Sequence, residues 1–268
     1  MPQFDFLYTN ADFTIVQGFT PLGDPDLKPA KTKAVEFGFK HSFQDKYFVM
    51  MTIFNKDASN LVDVNTYLHQ NNYQLEMTGV SGLVRYVNVA YSATSGAELL
   101  VRYMPTDKLK GYLSYTYMHA RGTSSSALEQ YGILRAGYEP PENVIEYDLS
   151  WDQRHTVVFH MDYSFFKNYH LDMIYRWNSP LPYTKYTKKG STYPNNSRME
   201  VTSTFDLRID RTFSLSKGKL VLTVQGYNLF DRSNILRKDR YGITGGYLND
   251  PSAYDQRRRI ELGLLYEH

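Results

Sequence analysis

Cysteine is absent from the 268 residues, which excludes a disulfide framework and any thiolate metal site and leaves the redox compartment unread. No run of about eighteen apolar residues occurs, so a transmembrane helix is excluded. Charge of one sign is also missing. Thirty Lys and Arg stand against 28 Asp and Glu, a net +2, and no basic run is long enough for a nucleic-acid-binding arm, so no nucleic acid is expected as a partner. The first ten residues, MPQFDFLYTN, lack the charged region and apolar stretch of a signal peptide.

Signatures of chemistry are equally scarce. The seven histidines form no HExxH and no paired metal-ligand spacing. His160 and His170 share one face of one predicted hairpin, which does not make a ligand set. Ser, His and Asp are too frequent for a triad to be read from them. The glycines of YGITGGY, Tyr241 to Tyr247, read as a mobile loop rather than a phosphate cradle, because no helix follows. No catalytic, cofactor or metal residue is therefore assigned, no cofactor is expected, and the chain does not read as an enzyme. The loops are rich in Tyr, Asn, Ser and Lys, as in Thr184 to Arg198. Such surfaces suit sugars or iron chelates, without fixing a substrate-binding residue.

Strand signals are plentiful. Aromatics make up 15%, with 24 Tyr and 15 Phe, which suits strands and water–lipid boundaries. The mean hydropathy of -0.49 is compatible with a membrane barrel, whose strands are only half apolar. The clearest stretch runs from Met199 to Asn234. Phe205, Leu207, Ile209 and Phe213 alternate with Asp206, Arg208, Asp210 and Thr212, and after Ser216-Lys217-Gly218-Lys219 the alternation resumes with Leu220, Leu222 and Val224. Period-two patterning on both sides of a Gly-containing turn predicts a hairpin.

The same pattern predicts strands over about Lys33 to Phe43, Tyr47 to Val64, Leu83 to Met104, Leu109 to Ala120, Arg154 to Phe165, Tyr169 to Trp177 and Arg257 to Tyr266. With the hairpin this makes nine. Residues 1–30 are expected to be loop, with Phe4 to Tyr8 as a short edge strand, and 31–268 to be one all-β unit. Connections alternate: short at 44–46, 105–108, 166–168 and 216–219, long at about 65–82, 121–150, 179–198 and 231–255. Outer-membrane barrels show this asymmetry, with short periplasmic turns and long extracellular loops. Parity predicts that Phe159, Tyr175, Leu207, Leu222 and Leu262 face lipid, and that Asp162, Arg208 and Glu261 face the lumen. Arg211 shares parity with Ile209 and Phe213 and is expected to snorkel at the nearby turn. In the predicted hairpin Asp162 lies opposite Asp172, an unfavourable pair unless compensated, with Arg176 or a plug residue as the expected compensation.

The ordered motifs resemble one family. Gly23 to Phe43 (GDPDLKPAKTKAVEFGFKHSF), VNVAYSATSGAELLVRYMP, WDQRHTVVFHMDYSF, WNSPLPYT, FDLRIDRTF, VQGYNLFDRSN and RRIELGLLYEH resemble, in this order over about residues 20 to 268, landmarks of TonB-dependent outer-membrane receptors. The resemblance implies an all-β, antiparallel transmembrane barrel segment of about nine strands, open or partial and without a plug domain. Such transporters have about 22 strands around a plugged lumen. The chain is thus expected to be the C-terminal portion of a receptor in the outer membrane of a Gram-negative bacterium. That receptor would take up a siderophore, oligosaccharide or similar scarce solute. The implied partners are outer-membrane lipid, a plug and upstream strands, the TonB complex, and a small-molecule or oligosaccharide ligand. The terminal order Tyr266-Glu267-His268 departs from the aromatic end usual in the family, which places recognition by the assembly machinery in question. Two other readings stand beside it: a self-contained ten-stranded porin or adhesin in which Phe4 to Tyr8 closes the sheet, and a soluble β-rich binding module.

Overall fold

The computed structural model describes residues 2–8, 21, 23–64, 86–138, 141, 145–187 and 192–268. Expectations for residues 9–20, for the connection 65–82 and for the strand start at Leu83 lie outside this set. One large antiparallel sheet dominates. In chain order its long strands are β1 (Lys31–Phe43), β2 (Tyr47–Val64), β3 (Tyr86–Thr106), β4 (Leu109–Gly122), β6 (His155–Phe165), β7 (Tyr169–Asn178), β10 (Thr202–Leu215), β11 (Gly218–Tyr227) and β12 (Arg259–Glu267). Each pairs only with its neighbours in sequence. The short β5 (Tyr147–Asp148) adds to β4, and β8 (Pro182–Tyr183) pairs with β9 (Ser197–Arg198) in a separate ribbon. β1 and β12 are not joined, so the sheet is an open segment of a barrel.

Register carries the pattern across all nine strands. Phe205 pairs with Tyr175, Tyr175 with Phe159 and Phe159 with Leu113. Leu113 then pairs with Val101, Val101 with Val49 and Val49 with His41. Val224 pairs with both Ile209 and Leu262. Side chains of paired residues share a face, so the predicted lipid positions Phe159, Tyr175, Leu207, Leu222 and Leu262 lie on one continuous apolar surface. Asp162, Arg208 and Glu261 fall on the other. No second layer of the described residues covers the apolar side. Phe37 is 71% exposed and Leu262 81%, which rules out a closed sandwich core.

The short turns, 44–46, 107–108, 166–168 and 216–217, gather at one end of the sheet. Gln44, Asp45 and Phe166 adopt positive φ of 51°, 53° and 55° to reverse the chain. At 216–217 the burden falls on Gly218, whose φ of 147° leaves an added Cβ 2.2 Å from the Glu267 carbonyl oxygen. Aromatic rings crowd this end on the apolar face. The Tyr47–Tyr103 centroids lie 5.1 Å apart and those of Phe165 and Tyr169 5.5 Å. Arg211 belongs to this girdle. Its guanidinium lies 4.5 Å from the Phe213 centroid and 5.1 Å from that of Tyr169, so cation–π contacts support the cation at the interface.

Two elements differ from the sequence reading. Phe4–Tyr8 is a helical turn, α1, not a strand. Phe6 and Leu7 both pack on Leu27, Val64, Tyr86 and Tyr131, which consecutive residues of a strand, pointing to opposite faces, cannot do. The ten-stranded reading thereby loses its tenth strand. Within 121–150 a second helix, α2 (Glu129–Arg135), forms. The Ser125 amide donates to Glu129 Oε2 at 2.7 Å, so the first helical side chain turns back on the segment that leads into α2.

Leu222→Arg, mid-strand on the apolar face, is expected to cost about 2–4 kcal/mol in a membrane, and Gln225→Arg on the polar face far less. Unfolding of the two variants in lipid vesicles, with spin-label accessibility at Leu207 and Asp162, checks this. Water contact at Leu207 together with lipid contact at Asp162 would reverse the faces.

Candidate functional site

The polar face carries a charge lattice on β6, β7, β10 and β11. Asp162 and Asp172 do lie directly opposite, but Arg176 does not compensate them. Its Nη1 donates to Asp206 Oδ2 at 2.7 Å, because Thr204, its own cross-strand partner, lies next to Asp206 on that face. The histidines take over by crossing diagonally. His160 Nε2 lies 2.6 Å from Asp172 Oδ2, and His170 Nε2 3.6 Å from Asp162 Oδ2. Arg208 reaches along its own strand to Asp210, which also accepts from Thr223 Oγ1 at 2.5 Å. His160 and His170 thus sit on one face, as the sequence implies, each engaged by a carboxylate. Among the described residues no cluster of three or more potential ligands is arranged to hold a metal ion.

The long-loop end is built on a second ion cluster, beyond Tyr117 and Trp177, where the apolar face stops. Leu149 and Asp152 fold back on β4: the Leu149 amide donates to Ala120 O at 3.0 Å, and the Ala120 amide to Asp152 Oδ1 at 2.7 Å. Asp152 is wholly buried. Its Oδ2 accepts from Arg154 Nε and Arg198 Nη2, both at 2.6 Å. Arg154 Nη2 and Arg198 Nη2 also donate to Asp148, at 3.0 and 2.6 Å, and His119 Nε2 lies 3.2 Å away. Burial pushes the Asp148 carboxyl up, but Arg198, His119 and Arg154 together outweigh it and hold the group below its ordinary range. Arg198 Nη1 donates in addition to the Asp152 and Pro180 carbonyls. One guanidinium on β9 therefore ties the 179–201 connection to the 123–154 connection.

The third long connection is latched in the same manner. Asn228 is buried at φ 47°, and its side-chain amide donates to Arg232 O and Gln256 O at 2.8 and 3.0 Å. Asp231 accepts twice from Arg257 and once from the Arg258 amide, contacts that hold its carboxyl far below the ordinary carboxylate range. The segment GYNLFDRSN is thus a structural clasp. Within YGITGGY, Gly242 and Gly245 supply φ of 81° and 70°, and Asp239 Oδ1 accepts the Tyr241 and Ile243 amides at 2.9 and 2.8 Å.

Above the clasps, aromatic residues of the three connections meet. The Tyr138 and Tyr186 rings lie 4.7 Å apart, and Tyr241 and Tyr247 6.0 Å. Arg240 stands 5.6 Å from the Tyr241 centroid, and the Tyr186 amide donates to Arg240 O at 2.8 Å. Lys238 lies 5.7 Å from the Tyr183 ring and pairs with Glu200. Phenol hydroxyls, ring faces and guanidinium together can stack on and hydrogen-bond a planar or hydroxylated solute. Residues 188–191 of the Thr184 to Arg198 stretch lie outside the described set. That Tyr138, Tyr186 and Tyr241 come together was not readable in sequence, because they are distant in the chain and share no motif.

A family model described as TonB dependent receptor-like, beta-barrel matches residues 1–264. No curated protein sequence matches. Among solved structures, the pyoverdine outer membrane receptor FpvA from Pseudomonas aeruginosa PAO1 superposes with a TM-score of 0.65 at 14% identity, covering 100% of this chain and 32% of that one. The outer membrane transporter YddB from Escherichia coli gives 0.62 at 12% identity, covering 89% of this chain and 33% of that one. The ferric-catecholate import receptor Fiu from E. coli K12 gives 0.58 at 17% identity, covering 88% and 27%. At these identities the likeness is one of fold. The chain spans about a third or less of the solved structures it matches.

Asp152→Ala strips two guanidinium groups of a buried partner and leaves the Ala120 amide unmet, so a loss of about 3–5 kcal/mol is expected. Arg198→Ala leaves Asp152 its Arg154 contact and should cost less, about 1–3 kcal/mol. Urea unfolding in membranes measures both, and an equal or reversed order would contradict the central place of Asp152.

Proposed function

The chain belongs to the TonB-dependent receptor-like β-barrel family, and from that premise we propose that it supplies the C-terminal nine strands of an outer-membrane active-transport receptor. The whole receptor takes up a scarce solute, a siderophore, oligosaccharide or similar molecule, with TonB energy coupling. The observation that carries this reading is the open nine-stranded sheet with one predominantly apolar face and a strict alternation of short turns and long connections. Unpaired edge groups in lipid cost several kcal/mol each, so a spanning sheet must close. β1 and β12 both run toward the short-turn end. If they met each other they would pair in parallel, whereas bacterial single-chain barrels are antiparallel with even strand counts. An odd number of further strands between them satisfies both rules.

In this reading the short turns lie in the periplasm and the long connections outside the cell. The clasped tyrosine surface around Tyr138, Tyr186 and Tyr241 faces the solute, and the His–Asp lattice lines a lumen occupied by a plug. The chain's part is in transport rather than catalysis. Its partners are outer-membrane lipid, the plug with the remaining strands, the solute, and, through the plug, the TonB complex.

Three measurements test the proposal. Deleting the gene should abolish growth on one limiting solute, and collapsing the proton gradient should abolish its uptake in the parent; uptake indifferent to both would exclude an energy-coupled receptor. Protease applied to intact cells should cut within 123–154 or 179–201 and spare Lys217, and the opposite pattern would invert the orientation. Residues 1–268 refolded alone in detergent should aggregate or exchange edges. A compact heat-modifiable monomer with discrete conductance would show instead that the nine strands close by themselves.

A further inference from the structure

We propose that Arg232 and Arg258 form a site for the phosphate of an anionic outer-leaflet lipid, beside the point where Phe230 carries the apolar face past the end of the sheet. The proposal rests on the reading that this face meets lipid and that the long connections lie outside the cell.

Phe205 is the outermost ring of β10 on the apolar face, and Ser203 follows it outward. The chain leaving β11 folds back onto this ring. The Leu229 amide donates to Phe205 O at 2.8 Å, and Asn228 and Asp231 reverse the backbone with φ of 47° and 52°. Leu229 lies over Gly226, where an added Cβ would come 2.4 Å from Leu229 Cδ2. The Phe230 ring stacks on Phe205, with centroids 5.2 Å apart and 20° between the planes. Stacking covers one side of the ring, yet Phe230 is 75% exposed. A large apolar side chain held outward by a hydrogen-bonded turn at the brink of an apolar face suits contact with acyl chains.

The cations adjoin this ring in the chain. Arg232 lies two residues after Phe230. Arg257 and Arg258 come shortly before Ile260, the outermost apolar-face residue of β12, which is 61% exposed. Asp231 gathers them: Arg257 reaches both its oxygens, at 3.0 and 2.8 Å, and the Arg258 backbone amide donates to Oδ1 at 3.0 Å. The two-point contact answers the Asp231 charge with a single guanidinium. Arg232 Nη2 donates to a neutral acceptor, the Val201 carbonyl, at 2.9 Å. Three guanidiniums thus share one carboxylate, and two positive charges remain. The neighbouring acids are engaged elsewhere, Glu200 with Lys238 and Asp255 with the Gln256 amide at 2.7 Å.

Phosphate fits this arrangement, because a guanidinium binds it through two parallel N–H donors and two such groups can share one phosphate. A free phosphate makes no use of Phe230. A lipid occupies both halves of the site, with its acyl chain on the rings and its headgroup phosphate on the arginines. Lipid held here ties the base of the connection that carries Tyr241 to the membrane surface. Each guanidinium near an anionic lipid surface strengthens binding about fivefold, so Arg232 and Arg258 together give about 25-fold.

Photocrosslinking on the complete receptor tests this, in vesicles of equal parts phosphatidylglycerol, which is anionic, and phosphatidylcholine, whose phosphate is offset by choline. Phe230→benzoylphenylalanine is irradiated and the lipid adducts are identified by mass. Phosphatidylglycerol adducts should outnumber phosphatidylcholine adducts about 25-fold at low salt, and each of Arg232→Gln and Arg258→Gln should lower that ratio about fivefold. Arg232→Lys, which keeps the charge, should retain most of the preference, and Lys217→Gln at the other end of the sheet should leave it unchanged. Salt at about 1 M should bring the ratio near one by screening. Equal adducts at low salt, or a preference that survives both Gln substitutions, would overturn the phosphate site and leave the lipid-facing reading standing. No lipid adduct at position 230 would overturn both. Should the Gln variants fail to assemble, the ratio with unaltered arginines and its salt dependence decide.

Discussion

Backbone hydrogen bonds between neighbouring strands hold the sheet in shape, because it encloses no core of its own among the described residues. A single curved sheet places its apolar side chains on a surface that no second layer of the described residues covers: Leu262 and Leu264 are 81% and 68% exposed, Val35 and Phe37 72% and 71%. The ladder is continuous from β1 to β12. Every lateral pairing is therefore also a constraint on which side chain meets which solvent. A slip of one residue anywhere would carry a row of leucines into the lumen and a row of carboxylates into lipid.

This constraint divides the molecule into zones. At the short-turn end, rings and the stem of Arg211 mark a water–lipid boundary. In the middle, the polar face pairs its groups locally: His160 and His170 contact the opposed Asp172 and Asp162, and Arg176 and Arg208 pair with Asp206 and Asp210. At the long-loop end the ladder gives out, and polar clusters replace it. Asp152 with Arg198, and Asp231 with Arg257, join segments far apart in sequence. A buried charge such as Asp152 adds little net stability relative to apolar packing, but it is costly to mispair, so it specifies one arrangement of the loops it joins. A rigid base of this sort suits a surface that presents Tyr138, Tyr186 and Tyr241 together.

The landmark motifs acquire a physical meaning in that setting. The Asp and Arg of WDQRH are Asp152 and Arg154, the centre of the rim cluster. The Asn and Asp of GYNLFDRSN are Asn228 and Asp231, which close the last long connection with positive φ and side-chain bonds to the backbone. Both motifs fix where the chain leaves the sheet.

The nine strands, their order and their two faces were legible in the sequence because alternation is local. A residue's parity depends on its own strand, and antiparallel neighbours joined by short turns need no further information to pair. Only the tertiary structure decided what happens where alternation stops. Phe4–Tyr8 looked like strand but coils so that Phe6 and Leu7 can reach one cluster. The helix Glu129–Arg135 is seven residues long and lies among Gly, Ser and Pro, which concealed it. The partner of Arg176 and the pairing of Asp152 with Arg198 across 46 residues had no signal at all. Ion pairs and buried carboxyls are chosen by three-dimensional proximity and by the exclusion of water, and neither quantity is written in the spacing of residues along the chain.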